Sequence, residues 1–260
     1  MIHQVIPLRD REENVKMTTY IIDDPMGNSR RFPVVVICPG GAYRLCSPRE
    51  AEPIAMQFNA AGIHAVVVEY SLKQQYPKSL EDLSNAVVLV REHAEEWKID
   101  PDRVFVCGFS AGGHLAGSLG VLWNQEPAIK RADQMNRPNG MILAYPVITT
   151  GEYTNTETAF HVTGNDPDYI ERTSLERNVT EDCAPAFIWH TFTDASVPVQ
   201  NAYMLANALC EKGVSTELHI YPYGRHGLAL ANEYTADSKE WIIRRTQNWI
   251  DMAIDWVKDF

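Results

Sequence analysis

Between residues 33 and 223 the chain alternates short, almost wholly apolar runs rich in Val and Ile with longer segments of helical pattern. The runs are residues 33–38, 64–70, 103–107, 140–147, 184–190 and 216–223. The helical segments are 80–97, 111–123, 197–212 and 238–258, the last carrying Trp241, Trp249 and Trp256. A further helix opens at Ser47-Pro48-Arg49-Glu50, with Ser47 as N-cap and Glu50 at the capping-box position, and stops at Gly62. Strands without polar alternation are buried on both faces, and helices between them supply the cover. The expectation is an α/β fold, with a mostly parallel central sheet of about eight strands and helices on both faces. Segments around Val5 and Tyr20 are expected to add antiparallel strands at one edge. No linker divides the chain, so residues 1–260 read as one domain, with a small polar cap insertion at about 149–183.

Composition removes several function classes. The formal net charge is −11, which opposes a nucleic-acid partner or a polybasic membrane-surface role. The five cysteines are odd in number and lack a Cys-x-x-Cys pair, so no disulfide framework is expected, and Cys38 and Cys107 read as small core hydrophobes. The start, Met1-Ile2-His3-Gln4-Val5-Ile6-Pro7, lacks the features of a signal peptide, and no apolar run is long enough for a membrane span. A cytoplasmic location is expected, where the Asn178-Val179-Thr180 glycosylation pattern would be idle.

The strongest local signal is Gly108-Phe109-Ser110-Ala111-Gly112. A bare Gly-x-Ser-x-Gly match is common by chance. Here the apolar run Val104-Phe105-Val106-Cys107 enters it, and the small-residue segment 111–117 leaves it as a helix. Such a strand–turn–helix can lift a serine hydroxyl clear of the sheet, with helix-start N–H groups aimed at a reacting carbonyl. Glycines belong on either side because a Cβ would collide with the neighbouring strand and helix.

A serine needs a base, and the base needs an orienting acid. In this arrangement the chain order is Ser, acid, His. His226 lies in the loop after the run ending at 223, with glycines at 224 and 227. Asp194 lies just past the run ending at 190, and Asp182 falls at the opposite sheet edge. Ser110, Asp194 and His226 therefore meet at the C-terminal edge of the sheet, where sites of parallel α/β proteins gather. His114 and His219 read as structural, and His190 as a strand-end residue. For a developing oxyanion, the Ala111 N–H is the first donor. The loop Pro39-Gly40-Gly41-Ala42-Tyr43 offers Gly41 or Ala42 as the second.

These residues resemble the α/β-hydrolase superfamily and, within it, small bacterial carboxylesterases and acetyl esterases of the lipase-like and acetylxylan-esterase-like kinds. The resemblance runs from about residue 33 to 231. It rests on Pro-Gly-Gly-Ala-Tyr (39–43), Ser-Pro-Arg-Glu-Ala-Glu-Pro (47–53), Asp-Pro-Asp-Arg-Val (100–104) and Gly-Phe-Ser-Ala-Gly-Gly-His-Leu-Ala (108–116). Ala-Tyr-Pro-Val (144–147), Trp-His-Thr-Phe-Thr-Asp (189–194) and His-Gly-Leu-Ala-Leu-Ala (226–231) complete the set. Related enzymes commonly carry His-Gly-Gly-Gly in the oxyanion loop; here Pro39 replaces the His and Ala42 the third glycine.

The resemblance implies a serine carboxylesterase acting on short-chain esters, acetyl first. Its substrate would be a small molecule such as an acetylated sugar or xylo-oligosaccharide, with no cofactor, no metal and no nucleic-acid or membrane partner. A homodimer fits the same resemblance. The alternatives are an amidase or formamidase with the same triad and, from a different class, a silent hydrolase fold used for binding. Neither the Gly-x-Gly-x-x-Gly nor the P-loop pattern of a nucleotide-binding protein occurs.

Overall fold

The computed structural model describes residues 1–10, 12, 14–27 and 30–260. Eight strands form one sheet: β1 (Val5–Pro7), β2 (Lys16–Tyr20), β3 (Phe32–Cys38), β4 (His64–Glu69), β5 (Ile99–Phe109), β6 (Gly140–Ala144), β7 (Ala186–Thr191) and β8 (Thr216–Tyr221). Their spatial order is β1-β2-β4-β3-β5-β6-β7-β8. The pairs β1–β2 and β2–β4 are antiparallel, and every pair from β4–β3 to β7–β8 is parallel. The expected parallel sheet with antiparallel strands at one edge is thus present.

Among the described residues seven α-helices accompany the sheet: α1 (Glu52–Ala60), α2 (Lys78–Glu92), α3 (Ala111–Leu122), α4 (Thr156–Thr163), α5 (Pro167–Thr173), α6 (Gln200–Glu211) and α7 (Trp249–Lys258). Side chains alternate across the central strands. Val34, Val36, Val104, Val106, Leu143 and Ile188 pack with α2, α3 and α6. Val35, Ile37, Phe105, Cys107, Ile142 and Trp189 face the other way, toward α1 and α7. Both faces are dry, which is why these strands carry no polar alternation; each fully buried Val, Ile or Phe contributes roughly 1.5–3 kcal/mol. All five cysteines are free. No helix among the described residues is long and apolar enough to cross a membrane.

Two helical expectations are corrected. Residues 48–50 form a single 3₁₀ turn with no side-chain cap, and α1 starts only at Glu52. Glu50 is turned inward instead, onto partners described below. The expected helix over 238–258 is continuous only from Trp249; before it lie a 3₁₀ turn, Lys239–Trp241, and a run of turns. The cause is bonding outside the segment: the Ile243 N–H and the Gln247 side-chain amide both donate to Ala231 O (3.0 and 2.9 Å), so the segment is bonded to the loop that follows His226. The 149–183 segment between β6 and β7 holds α4, α5 and a 3₁₀ turn, Leu175–Arg177.

Candidate active site

The strand order reverses direction at β3, since β4 lies on one side of it and β5 on the other. Loops leaving the C-terminal ends of such strands diverge and leave a crevice. Ser110 stands there, between β5 and α3, at φ 53° and ψ −116°. A left-handed φ on a non-glycine residue costs of order 1–3 kcal/mol and persists only where the surroundings enforce it. The flanking glycines show how. A Cβ on Gly108 would lie 2.0 Å from Gly112 O, and one on Gly112 would lie 2.1 Å from Cys38 O of β3. Strand, turn and helix can approach this closely only without those two side chains.

The Ser110 Oγ is 2.6 Å from His226 Nε2, and His226 Nδ1 is 2.7 Å from Asp194 Oδ2. Asp194 has its other oxygen, Oδ1, on the N–H groups of Ser196 and Val197, both at 2.9 Å. It therefore also fills the turn-capping role that aspartates at such positions commonly have. Burial alone would raise its pKa; hydrogen bonds from His190 and His226, and the Val197 N–H, overcome that and hold it well below the usual carboxylate range. His190 is fully buried on β7. Its Nε2 lies 3.0 Å from Val197 O and 3.5 Å from Asp194 Oδ2, so Nε2 carries the proton. Its closeness to the acid was not foreseen from its strand-end position.

The loop after β3 holds Gly41 and Ala42, the residues expected to offer a second oxyanion donor. Gly41 has φ 133°, and Ala42 and Tyr43 follow at 53° and 54°. Three side chains hold this strained run. Tyr43 OH lies 2.9 Å from His114 Nδ1, the other His114 nitrogen lies 2.8 Å from Thr173 O, and His161 Nδ1 of α4 lies 2.8 Å from Ala42 O. His114 is thus a fully partnered core residue, as expected, with burial pushing its pKa down to about 4. His219 pairs with Glu217 on β8. The Gly40 N–H is taken by Glu50. Among the described residues, the N–H groups of Gly41, Ala42 and Ala111 meet no protein acceptor.

The cleft over Ser110 has a volume of about 320 Å³. Its wall is more polar than apolar, with Arg44, Arg49, Asn155 and Glu157 beside Ser110 and His226, and Leu45 and Trp241 as the large apolar members. Arg44 reaches Glu157 of α4 at 3.4 Å, so the segment between β6 and β7 leans on the loop after β3. Among the described residues, no group of three or more His, Cys, Asp or Glu side chains could hold a metal ion. The arrangement can activate a serine hydroxyl and hold an oxyanion beside it.

Residues 22–209 match the BD-FAE family. The chain belongs to that family. The fold found here is that of solved α/β hydrolases, which overlay on it closely. An acetyl ester-xyloside bifunctional hydrolase from Caldicellulosiruptor lactoaceticus superposes with TM-score 0.85 at 32% identity, over 98% of this chain and 96% of that one. The endo-1,4-beta-xylanase B of Butyrivibrio fibrisolvens is 40% identical over 208 residues, 76% of this chain and 33% of the relative. The acetylxylan esterase of Xylanibacter ruminicola is 28% identical over 244 residues, 90% of this chain and 48% of the relative. The chain therefore spans between a third and half of the length of these two curated relatives. Within that family the chain has the α/β-hydrolase fold of its solved relatives.

Proposed function

We propose that the protein is a serine carboxylesterase that removes short acyl groups, acetyl first, from small polar alcohols. Ser110 attacks the ester carbonyl while His226 Nε2 takes its proton. Asp194 holds the imidazole through Nδ1 and stabilises the imidazolium. The N–H groups of Ala111 and of Gly41 or Ala42 receive the oxyanion. His226 then protonates the departing alcohol, and water releases the acyl group by the same route. The observation that carries this reading is the continuous chain Ser110 Oγ–His226–Asp194, at 2.6 and 2.7 Å, at the mouth of the cleft.

Acetylated xylo-oligosaccharides are the favoured substrates. The cleft wall can hydrogen-bond hydroxyl groups, and xylan or xyloside chemistry recurs in the names of all three relatives. Hydrolysis of p-nitrophenyl acetate by the wild type and by Ser110→Ala, side by side, tests the mechanism. Turnover is expected to fall in the variant by on the order of 1000-fold or more. Full activity in Ser110→Ala would overturn the assignment. Comparison of matched acetyl esters and acetamides separates an esterase from an amidase.

A further inference from the structure

Glu50 is 3% exposed, although it is the last residue of the 3₁₀ turn that opens with the exposed Pro48. Its side chain does not cap a helix. Oε2 accepts the Gly40 N–H at 2.8 Å, and Oε1 accepts the Tyr145 hydroxyl at 2.6 Å. Tyr145 follows β6, is 1% exposed and has φ 37°. Its oxygen in turn accepts the Ala229 N–H at 2.9 Å, three residues beyond His226. Its ring stands edge-on to the His226 ring, with centroids 5.2 Å apart and planes at 74°. Burial and the neighbouring Glu50 charge push the Tyr145 phenol well above its usual range, so it remains a donor to Glu50.

Arg49, the adjacent residue, braces the same loop from outside. Its Nη1 donates to Gly227 O and to Thr235 O, each at 3.0 Å, and its guanidinium lies 4.4 Å from the Trp241 ring centroid. Four sequence segments therefore converge: 39–43 through Gly40, 47–53 through Arg49 and Glu50, 144–147 through Tyr145, and 226–231 through Gly227 and Ala229. On one side of this convergence is the loop that offers oxyanion donors, and on the other the loop that carries the base. No direct backbone bond between those two loops occurs among the described residues; Glu50 and Tyr145 connect them.

We propose that Glu50 and Tyr145 are positioning residues that lock the oxyanion loop and the His226 loop into one register around Ser110. The proposal rests on the serine-esterase reading above. Its physical basis is that base and oxyanion donors act in the same step on the same bond. Their mutual placement must hold to about 0.5 Å, and an error of about 1 Å costs on the order of 100-fold. A loop held only by its own turns would not keep that tolerance. A buried carboxylate with a charge-assisted bond to each side does.

The test uses Tyr145→Phe, which keeps the ring against His226 and deletes both hydroxyl bonds. Glu50→Gln accompanies it, keeping the shape and one acceptor. Competent sites are counted by stoichiometric phosphonylation of the serine, and rates are expressed per titrated site on p-nitrophenyl acetate. For Tyr145→Phe the expectation is kcat lower by on the order of 10- to 100-fold with KM within about 2-fold. Affinity for a boronic acid, which adds to Ser110 as a tetrahedral adduct, should fall by a similar factor. Glu50→Gln should lose less, and Glu50→Ala at least as much as Tyr145→Phe.

A merely structural role predicts fewer titratable sites and a lower Tm, with normal kcat per site and unchanged boronate affinity; that result in either folded variant overturns the proposal. If Tyr145→Phe does not fold, the same measurements on the near-isosteric Glu50→Gln decide it. Ser110→Ala is run in parallel. Undiminished activity there defeats the serine-esterase reading itself, whereas a Ser110→Ala that loses about 1000-fold beside a normal Tyr145→Phe defeats only the positioning role.

Discussion

At the level of single residues, the site is governed by how buried polar groups are satisfied. Asp194 is the clearest case: it accepts from His226, from two backbone N–H groups and faces His190, so its charge is stabilised despite burial. Asp194→Asn keeps the shape, but presents an amide where the imidazole needs an acceptor, and favours the wrong tautomer. We expect kcat on p-nitrophenyl acetate to drop by on the order of 10³–10⁴, with KM little changed.

The buried histidines make a separate prediction about pH. Burial pushes His64 and His114 down to about 4 from an ordinary value of 6.5. Between those values the unfolded chain binds protons that the folded chain does not. Their contribution is therefore complete above about pH 6.5 and is lost as pH falls toward 4, by about 3 kcal/mol for each histidine as an order of magnitude. Asp194, whose pKa is depressed, contributes above about pH 4 and weakens only below it. Urea unfolding followed from pH 7.5 to 4.5 should show stability falling steeply, and His114→Gln should reduce that slope. An unchanged slope in the variant would contradict a neutral, buried His114.

At the level of elements, close approach of backbones decides which substitutions the fold accepts. Gly112 is the sharpest constraint, because a Cβ there would meet Cys38 O at 2.1 Å, and both partners belong to elements pinned in the core. Gly112→Ala is expected to cost at least about 3 kcal/mol, read as a lower urea midpoint, or to prevent folding. A shift within about 0.5 kcal/mol would show that α3 can retreat from β3. This contact also explains what could be read in advance. Runs such as Val34–Cys38 and Phe105–Cys107 are buried on both faces, so composition alone marks them as central strands. Gly108 and Gly112 mark the turn at Ser110 because nothing larger fits there.

The misread elements are those whose bonding is not local. Residues 239–248 have a helical composition, but Ile243 and Gln247 spend their donors on Ala231, sixteen residues from Gln247. Glu50 sits at a capping-box spacing, yet its partners are Gly40 and Tyr145, the latter ninety-five residues away. Periodicity and spacing report local bonding, so neither partner could be seen. The placement of Ser110, Asp194 and His226 was legible because each directly follows a parallel strand. The brace formed by His161 on Ala42 O was not, since α4 lies in an insertion whose path no pattern reveals.

At the level of the whole molecule, the insertion between β6 and β7 sets what the cleft can accept. It brings Asn155 and Glu157 into the lining beside Arg44 and Arg49, with Leu45 and Trp241 as the large apolar members, and is held there through the Arg44–Glu157 and His161–Ala42 contacts. An acyl chain lengthened along this wall would exchange water largely for guanidinium, amide and carboxylate groups, with little apolar surface beyond Leu45 and Trp241. An apolar tunnel would contribute about 0.8 kcal/mol per methylene, roughly a fourfold gain in kcat/KM each. A wall of charged groups gives no such gain and loses hydration. We therefore expect kcat/KM for p-nitrophenyl esters to stay level or fall from acetyl through butyryl to octanoyl. A steady rise of about fourfold per methylene would mean that the chain finds an apolar path outside this cleft. The short-acyl part of the proposed function would then be wrong, while the roles of Ser110, His226 and Asp194 would stand.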